Sequence, residues 1–181
     1  MKRLLLVGAT MLLSGCASAT SDPAPSAASD PEPLAAGASL KDKDGKDVGA
    51  VTLIQTPDGT RIAVTGYRLP PGKHGLHIHA VGECTPPDFA SAGGHFNPAG
   101  KQHGSLNPAG PHAGDLPNLV VADSGEAGMD ITTKAFTLEP GPGSLLGGKG
   151  TAVVIHAAPD DEKTDPTGNS GARIACGVIA K

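Results

Sequence analysis

Histidine supplies most of the chemistry this 181-residue chain could perform: His74, His77, His79, His95, His103, His112 and His156. His77 and His79 flank Ile78. On a strand, residues i and i+2 share a face, so both imidazoles could reach one metal ion while Ile78 turns away. Taken alone, such a pair also fits two half-exposed strand histidines. His95, His103, His112 and Asp115 follow. His112 and Asp115, three apart, form a short chelating turn. Three imidazoles and a carboxylate are a tetrahedral zinc set. With all four positions filled by protein, that set reads as structural. The competing reading is a polar loop with scattered histidines, and Cys84 in the same loop weakens it. His156 ends the run Thr151-Ala-Val-Val-Ile. A side chain at such a strand end points into a site built by loops, unless it is a rim histidine without a ligand role.

These residues must be positioned by short strands. Val48–Thr56, Thr60–Leu69, His74–Ala80, Asn118–Asp123, Met129–Thr133, Thr151–Ala157 and Ala172–Ala180 are rich in Val, Ile and Thr, with turn signals such as Pro57-Asp58-Gly59 between them. Ala36–Leu40 is a weaker first strand. About eight strands and no helix pattern predict an all-β fold, an antiparallel sandwich or barrel. The 26 glycines and 17 prolines serve the turns. Between Gly82 and Leu116 almost no strand pattern appears, and Pro159–Gly171 is a second polar loop. An unstructured stretch as long as the first calls for a functional, metal or disulfide reason, so these two loops are where chemistry is expected. A formal charge of −4, no Trp and only four aromatic rings argue against nucleic-acid binding and base-stacking platforms.

The N-terminal segment reads as an address. Met1-Lys2-Arg3 precedes the apolar stretch Leu4–Leu13, too short to span a bilayer as a helix but suited to a signal-peptide core. Leu13-Ser14-Gly15-Cys16 resembles the bacterial lipobox, which predicts cleavage before Cys16 and its lipidation. A plain signal peptide cut at a nearby Ala-x-Ala-like site is the alternative. Residues 1–15 are therefore the signal peptide. Residues 16–35, rich in Ser, Ala and Pro, are a flexible tether. Residues 36–181 are the folded domain. Losing Lys2 and Arg3 takes the formal charge from −4 to −6. With Cys16 set aside, Cys84 and Cys176 remain, and an exported compartment favours one bridge over two buried thiols.

Five segments in order carry a family resemblance: Lys73-His-Gly-Leu-His-Ile-His-Ala80, Ser91-Ala-Gly-Gly-His-Phe-Asn-Pro98, Lys101-Gln-His-Gly104, Pro111-His-Ala-Gly-Asp-Leu116 and Gly168-Asn-Ser-Gly-Ala-Arg-Ile-Ala-Cys-Gly177. Together they resemble the copper/zinc superoxide dismutases of the bacterial exported type, over about residues 36–181. The resemblance implies an eight-stranded Greek-key barrel with two long functional loops. It also implies one copper and one zinc per chain, with superoxide as substrate. His77, His79, His95 and His156 would hold copper; His95, His103, His112 and Asp115 would hold zinc. Arg173 would guide the anion, and the shared His95 would deliver a proton. Asp160 would link a copper histidine to a zinc histidine, and His74 would be a structural histidine near the copper strand. Cys84 and Cys176 would form the disulfide.

The second loop is shorter than in the animal enzymes, so their steering charges do not transfer; Lys101 and Lys163 are only candidates. The resemblance places the protein in the periplasm, protecting the cell envelope. Membrane contact would come only through a lipid on Cys16, at the outer membrane by the Ala17 that follows it. A homodimer is left open. Three rival readings share these residues: a copper-buffering lipoprotein, a structural surface domain of the same fold and a zinc-only scaffold. The first would not need Arg173 or Asp160, the second would be expected to have lost ligands, and the third leaves His77, His79 and His156 without purpose.

Overall fold

The computed structural model describes residues 32–181. The signal peptide, Cys16 and most of the tether lie outside the described residues. The eight expected strands are present: β1 (Ala35–Asp42), β2 (Asp47–Thr56), β3 (Gly59–Gly66), β4 (Gly72–His79), β5 (Asp115–Val121), β6 (Ala127–Thr133), β7 (Ala152–His156) and β8 (Arg173–Val178). A single 3-10 turn, Ala90–Ala92, is the one helical element among them. All pairings are antiparallel, and the strands close a barrel in the order β1-β2-β3-β6-β5-β4-β7-β8. The connections β3→β4 and β6→β7 cross over, as in a Greek key.

Alternation along the strands decides which residues fill the barrel. In β3, Thr60, Ile62, Val64 and Gly66 are buried while Arg61 and Thr65 are exposed. Inward residues from all sides, among them Leu40, Leu53, Ile62, Leu76, Ile78, Leu119, Val153 and Ile155, form one core. β4 and β7 break the pattern, because they are buried on both faces. Leu76, Ile78, Val153 and Ile155 face the core, and the alternate residues His77, His79 and His156 lie on the other side, covered by the two long loops. Ala152 and Val154 join a second cluster with Phe89, Ala92 and Cys176. That cluster packs the first loop onto the outside of the barrel.

Register then brings the chemistry together. His77 stands opposite Asp115 of β5 and Val154 of β7, and His79 forms an isolated bridge with His95 of the first loop. Most strand boundaries fall within two residues of expectation, and two differ by three. β3 ends at Gly66, since Arg68 takes a left-handed φ of 59° that breaks the extended chain. β5 begins at Asp115, ahead of Asn118. Pro117 argues against a strand in sequence, but it sits in a bulge of β5, where Pro117 and Asn118 together stand opposite Gly75 of β4, so its missing N–H falls at a break in the ladder.

Cys84 and Cys176 are bonded, with Cα atoms 5.7 Å apart and 92 residues between them in sequence. The bridge ties the start of the first loop to β8. In the chain-entropy account a closure of this length contributes up to about 4–5 kcal/mol, often less in practice. We therefore expect Cys84→Ser to lower the melting temperature of the metal-free protein by roughly 5–15 °C. Reduced wild-type protein should melt at the same lowered temperature. Calorimetry showing an unchanged transition in both would remove the bridge from the account of stability.

Candidate metal centre

Six histidines pack into one buried space between the outer face of β4 and β7 and the two loops. Their ring centroids stand as close as 4.0 Å, for His77 and His95. All six are buried. Each ring is oriented by the partner of one nitrogen, leaving the other to face inward. His79 Nδ1–H donates to the carbonyl of Gly93 at 2.9 Å, and His156 Nδ1–H to that of Gly171 at 3.2 Å. Their Nε2 atoms then stand 3.4 Å apart. His77 Nε2 and His103 Nε2 bond the two carboxylate oxygens of Asp160 at 2.8 and 2.9 Å.

Two groups of converging donor atoms result. One ligand atom from each of His77, His79, His95 and His156 lies within 4.8 Å of the others; the same holds for His77, His95, His103 and Asp115. His112 joins the second through Nδ1, 3.2 Å from Asp115 Oδ1 and 3.4 Å from His95 Nδ1. The resemblance did not anticipate that His77 reaches both. His95 sits between the groups. Its Nδ1 lies 2.8 Å from Asp115 Oδ1, while its Nε2 is buried with no hydrogen-bond partner. His77 Nδ1 and His103 Nδ1 are likewise buried and unpartnered. A buried polar atom without a partner costs roughly 1–3 kcal/mol. Three of them, converging with a carboxylate, fit cations: the imidazole-only group suits copper, and the group with Asp115 suits zinc.

The carboxylates are fixed by backbone N–H groups. Asp115 Oδ2 accepts from Gly104 and His112, both at 2.9 Å. Asp160 Oδ1 accepts from the N–H of Glu162. Asp160 lies on a loop without a strand, and Asn118 of β5 anchors it: the Asn118 amide donates to the Asp160 carbonyl at 2.9 Å and accepts from its N–H at 2.8 Å. Gly168, at φ 61°, lies against this assembly, and a Cβ there would overlap the Asp160 carboxylate and the His103 ring.

Electrostatics follow from burial. It pushes His79 down from 6.5 to about 2, against a partial rise from the Gly93 carbonyl. It pushes His156 to about 3, with the neighbouring His77 acting the same way. His95 falls to about 4, burial outweighing its bond to Asp115. For Asp115 and Asp160 burial alone would raise the pKa. Bonds to His95 and Gly104 in the first case, and to His77 and His103 in the second, hold both below the usual carboxylate range. At neutral pH the three histidines therefore present lone pairs and the two acids are charged.

Arg173 opens β8 beside this space. Its guanidinium donates to the carbonyls of Phe89 at 2.5 Å and Gly93 at 2.6 Å, so the Gly93 oxygen serves Arg173 and His79 together. His74 stands behind the strand end, its ring nitrogens 2.7 Å from the His156 carbonyl and 2.8 Å from that of Pro70. The exposed Lys101 and Lys163 make side-chain contact with none of the histidines among the hydrogen bonds and ion pairs of the described residues. Sequence reasoning missed Asn118, Phe89 and Gly93. The last two act through carbonyl oxygens, which leave no residue signature. Asn118 had one faint signal, a polar side chain in an otherwise apolar strand.

Comparison with known proteins agrees with this geometry. Residues 48–179 match the family described as copper/zinc superoxide dismutase. The chain is 50% identical over 144 residues to superoxide dismutase [Cu-Zn] 2 of Aquifex aeolicus, covering 78% of this chain and 84% of that one. It is 45% identical over 145 residues to superoxide dismutase [Cu-Zn] of Caulobacter vibrioides, covering 78% and 83%. A crystal structure of a SOD-like protein from Bacillus subtilis superposes with a TM-score of 0.76 at 41% identity, over 78% of this chain and 96% of that one.

The lowered histidines give the metal-free protein a defined acid response. Unfolded, His79, His95 and His156 take up protons near 6.5; folded, they do so only near 2, 4 and 3. Between those limits the unfolded chain binds more protons, so stability falls as pH falls, by about 1.4 kcal/mol per pH unit for each proton in the difference. Asp115 and Asp160 act in the same direction at lower pH. We expect the melting temperature of the metal-free protein to drop steadily from pH 7 to pH 5, and copper and zinc to suppress that drop. A flat profile of the metal-free protein across this window would contradict the burial argument.

Proposed function

The chain belongs to the copper/zinc superoxide dismutase family, and from that premise we propose how its own residues serve superoxide disproportionation. In this reaction two superoxide anions and two protons yield dioxygen and hydrogen peroxide. The observation that carries the assignment of residues is His95, with one nitrogen facing each buried group.

Copper held by His77, His79, His95 and His156 would supply the one-electron exchange that zinc, having no redox chemistry, does not. The remaining work belongs to the protein. Arg173 keeps its charge at any working pH, and two carbonyls aim its guanidinium. It draws in and orients a small monoanion, against the net negative charge of the chain. His95 Nε2 is the atom we assign to proton delivery, because Asp115 retains the other nitrogen on the zinc side. His103, His112 and Asp115 complete a zinc site closed by protein. Asp115, bonded to Nδ1, keeps the His95 ring in place while Nε2 carries the proton. Asp160 fixes His77 and His103 through one carboxylate, so the two metal groups share a rigid outer link.

We further propose that the protein acts in the cell envelope, anchored by a lipid on Cys16. Met1-Lys2-Arg3, the apolar Leu4–Leu13 and the Leu13-Ser14-Gly15-Cys16 sequence support this reading. Acylated Cys16 in a membrane fraction, detected by mass spectrometry, is its test.

Turnover of the copper- and zinc-loaded chain, with metals counted in the same sample and cyanide as control, tests the function. We expect fast, cyanide-sensitive disproportionation at one copper per chain. His79→Ala should abolish it while one equivalent of zinc still binds. Arg173→Ala should keep copper but slow turnover roughly tenfold at low salt and flatten the salt dependence. Full activity in His79→Ala, or an unchanged salt profile in Arg173→Ala, would overturn the corresponding role.

A further inference from the structure

Arg173 is held in place by a peptide in an unusual conformation. The carbonyl that receives its Nη1–H belongs to Phe89, whose φ of 55° is left-handed. A bulky residue seldom adopts that region unless its surroundings impose it. Three contacts do so here. The Phe89 ring is buried against Ala92, Ala152, Val154 and Cys176. Its N–H donates to the Thr85 carbonyl at 3.1 Å. On its N-terminal side, Asp88 Oδ1 accepts from the N–H of Ala90 at 3.0 Å, closing a turn around Phe89.

The residue that closes this turn is an acid, although an amide would close it equally well, since only a side-chain oxygen is needed. The Asp88 side chain is exposed, and it lines the same cleft of about 760 Å³ as Arg173, whose wall also carries Lys43 and Arg68 and the acids Asp42 and Asp44. Its negative charge offsets part of the effect of burial on the Arg173 guanidinium. A charge that stabilises the guanidinium also cancels part of the field that an incoming anion meets.

We propose that Asp88 is a positioning residue for Arg173 and sets the strength of its pull on anions: the turn it closes presents the Phe89 carbonyl to the guanidinium, and its carboxylate lowers the positive potential at that guanidinium. The inference rests on the reading of Arg173 as the anion guide.

Two variants of the full chain, loaded with copper and zinc, separate the two roles. Asp88→Asn keeps the oxygen for Ala90 and removes the charge; Asp88→Ala removes both. The first readout is azide affinity, followed through the visible absorption of the copper(II) protein. The second is turnover. At about 10 mM ionic strength Asp88→Asn should bind azide and turn over superoxide about twofold better than wild type, and the gain should shrink at about 200 mM. Asp88→Ala should fall short of Asp88→Asn by a margin that persists at high salt, because the turn rather than the field is altered. Equal azide affinity of Asp88→Asn and wild type at low salt, or a gain indifferent to salt, overturns the electrostatic role. Identical behaviour of the two variants at every ionic strength overturns the positioning role. A loaded wild-type chain without turnover would refute the proposed function, and the azide titration would still read Asp88.

Discussion

The structure depends on one constraint: imidazole nitrogens converge, lone pair to lone pair, in a buried space. His77 Nδ1, His95 Nε2 and His103 Nδ1 have no hydrogen-bond partner there, and the fold must hold them in place against that cost. Strands alone could not. β4 and β7 deliver His77, His79 and His156 on the outer face of the barrel, where solvent would reach them. The first loop, pinned by the disulfide and by Phe89, and the second, pinned by Asn118 to Asp160, cover that face. The burial of β4 and β7 on both sides is thus the same fact as the assembly of the centre.

Two small nodes carry most of the coupling within it. The carbonyl of Gly93 receives both His79 Nδ1–H and the Arg173 guanidinium. The Arg173 guanidinium and the His79 ring are thereby set against one peptide, and neither can shift without the other. The carboxylate of Asp160 receives His77 on one oxygen and His103 on the other, joining the two metal groups behind the His95 bridge.

Much of this was legible in the sequence. All eight strands, both long loops, the seven histidines and the paired cysteines could be read from residue type and spacing. The site's ligand set followed from resemblance rather than from geometry. Three kinds of feature were hidden. Backbone acceptors such as Phe89 and Gly93 leave no residue signature. The start of β5 was masked by Pro117, which the strand accommodates in a bulge of its own opposite Gly75. The presence of His77 in both donor groups follows from register, since it stands opposite Asp115 across the β4–β5 ladder. Pairing partners are a property of the closed barrel, and no single segment contains them.

The division of labour between strands and loops has a thermodynamic consequence. Ligands on rigid strands are placed by the barrel core, but His95, His103 and His112 arrive on a loop that has almost no regular structure of its own. Ordering such a loop costs backbone entropy at every residue. The offsets are the disulfide at one end, the apolar cluster around Phe89, and the bonds from Asp115, Asp160 and Asp165 to its histidines and glycines. Most of these contacts touch one of the clustered histidines or the peptide that holds the Arg173 guanidinium. Stability of the loop and geometry of the site are therefore one quantity in this protein. The centre forms as a unit when both loops dock, and a loss at any of these contacts is felt at the ligands first.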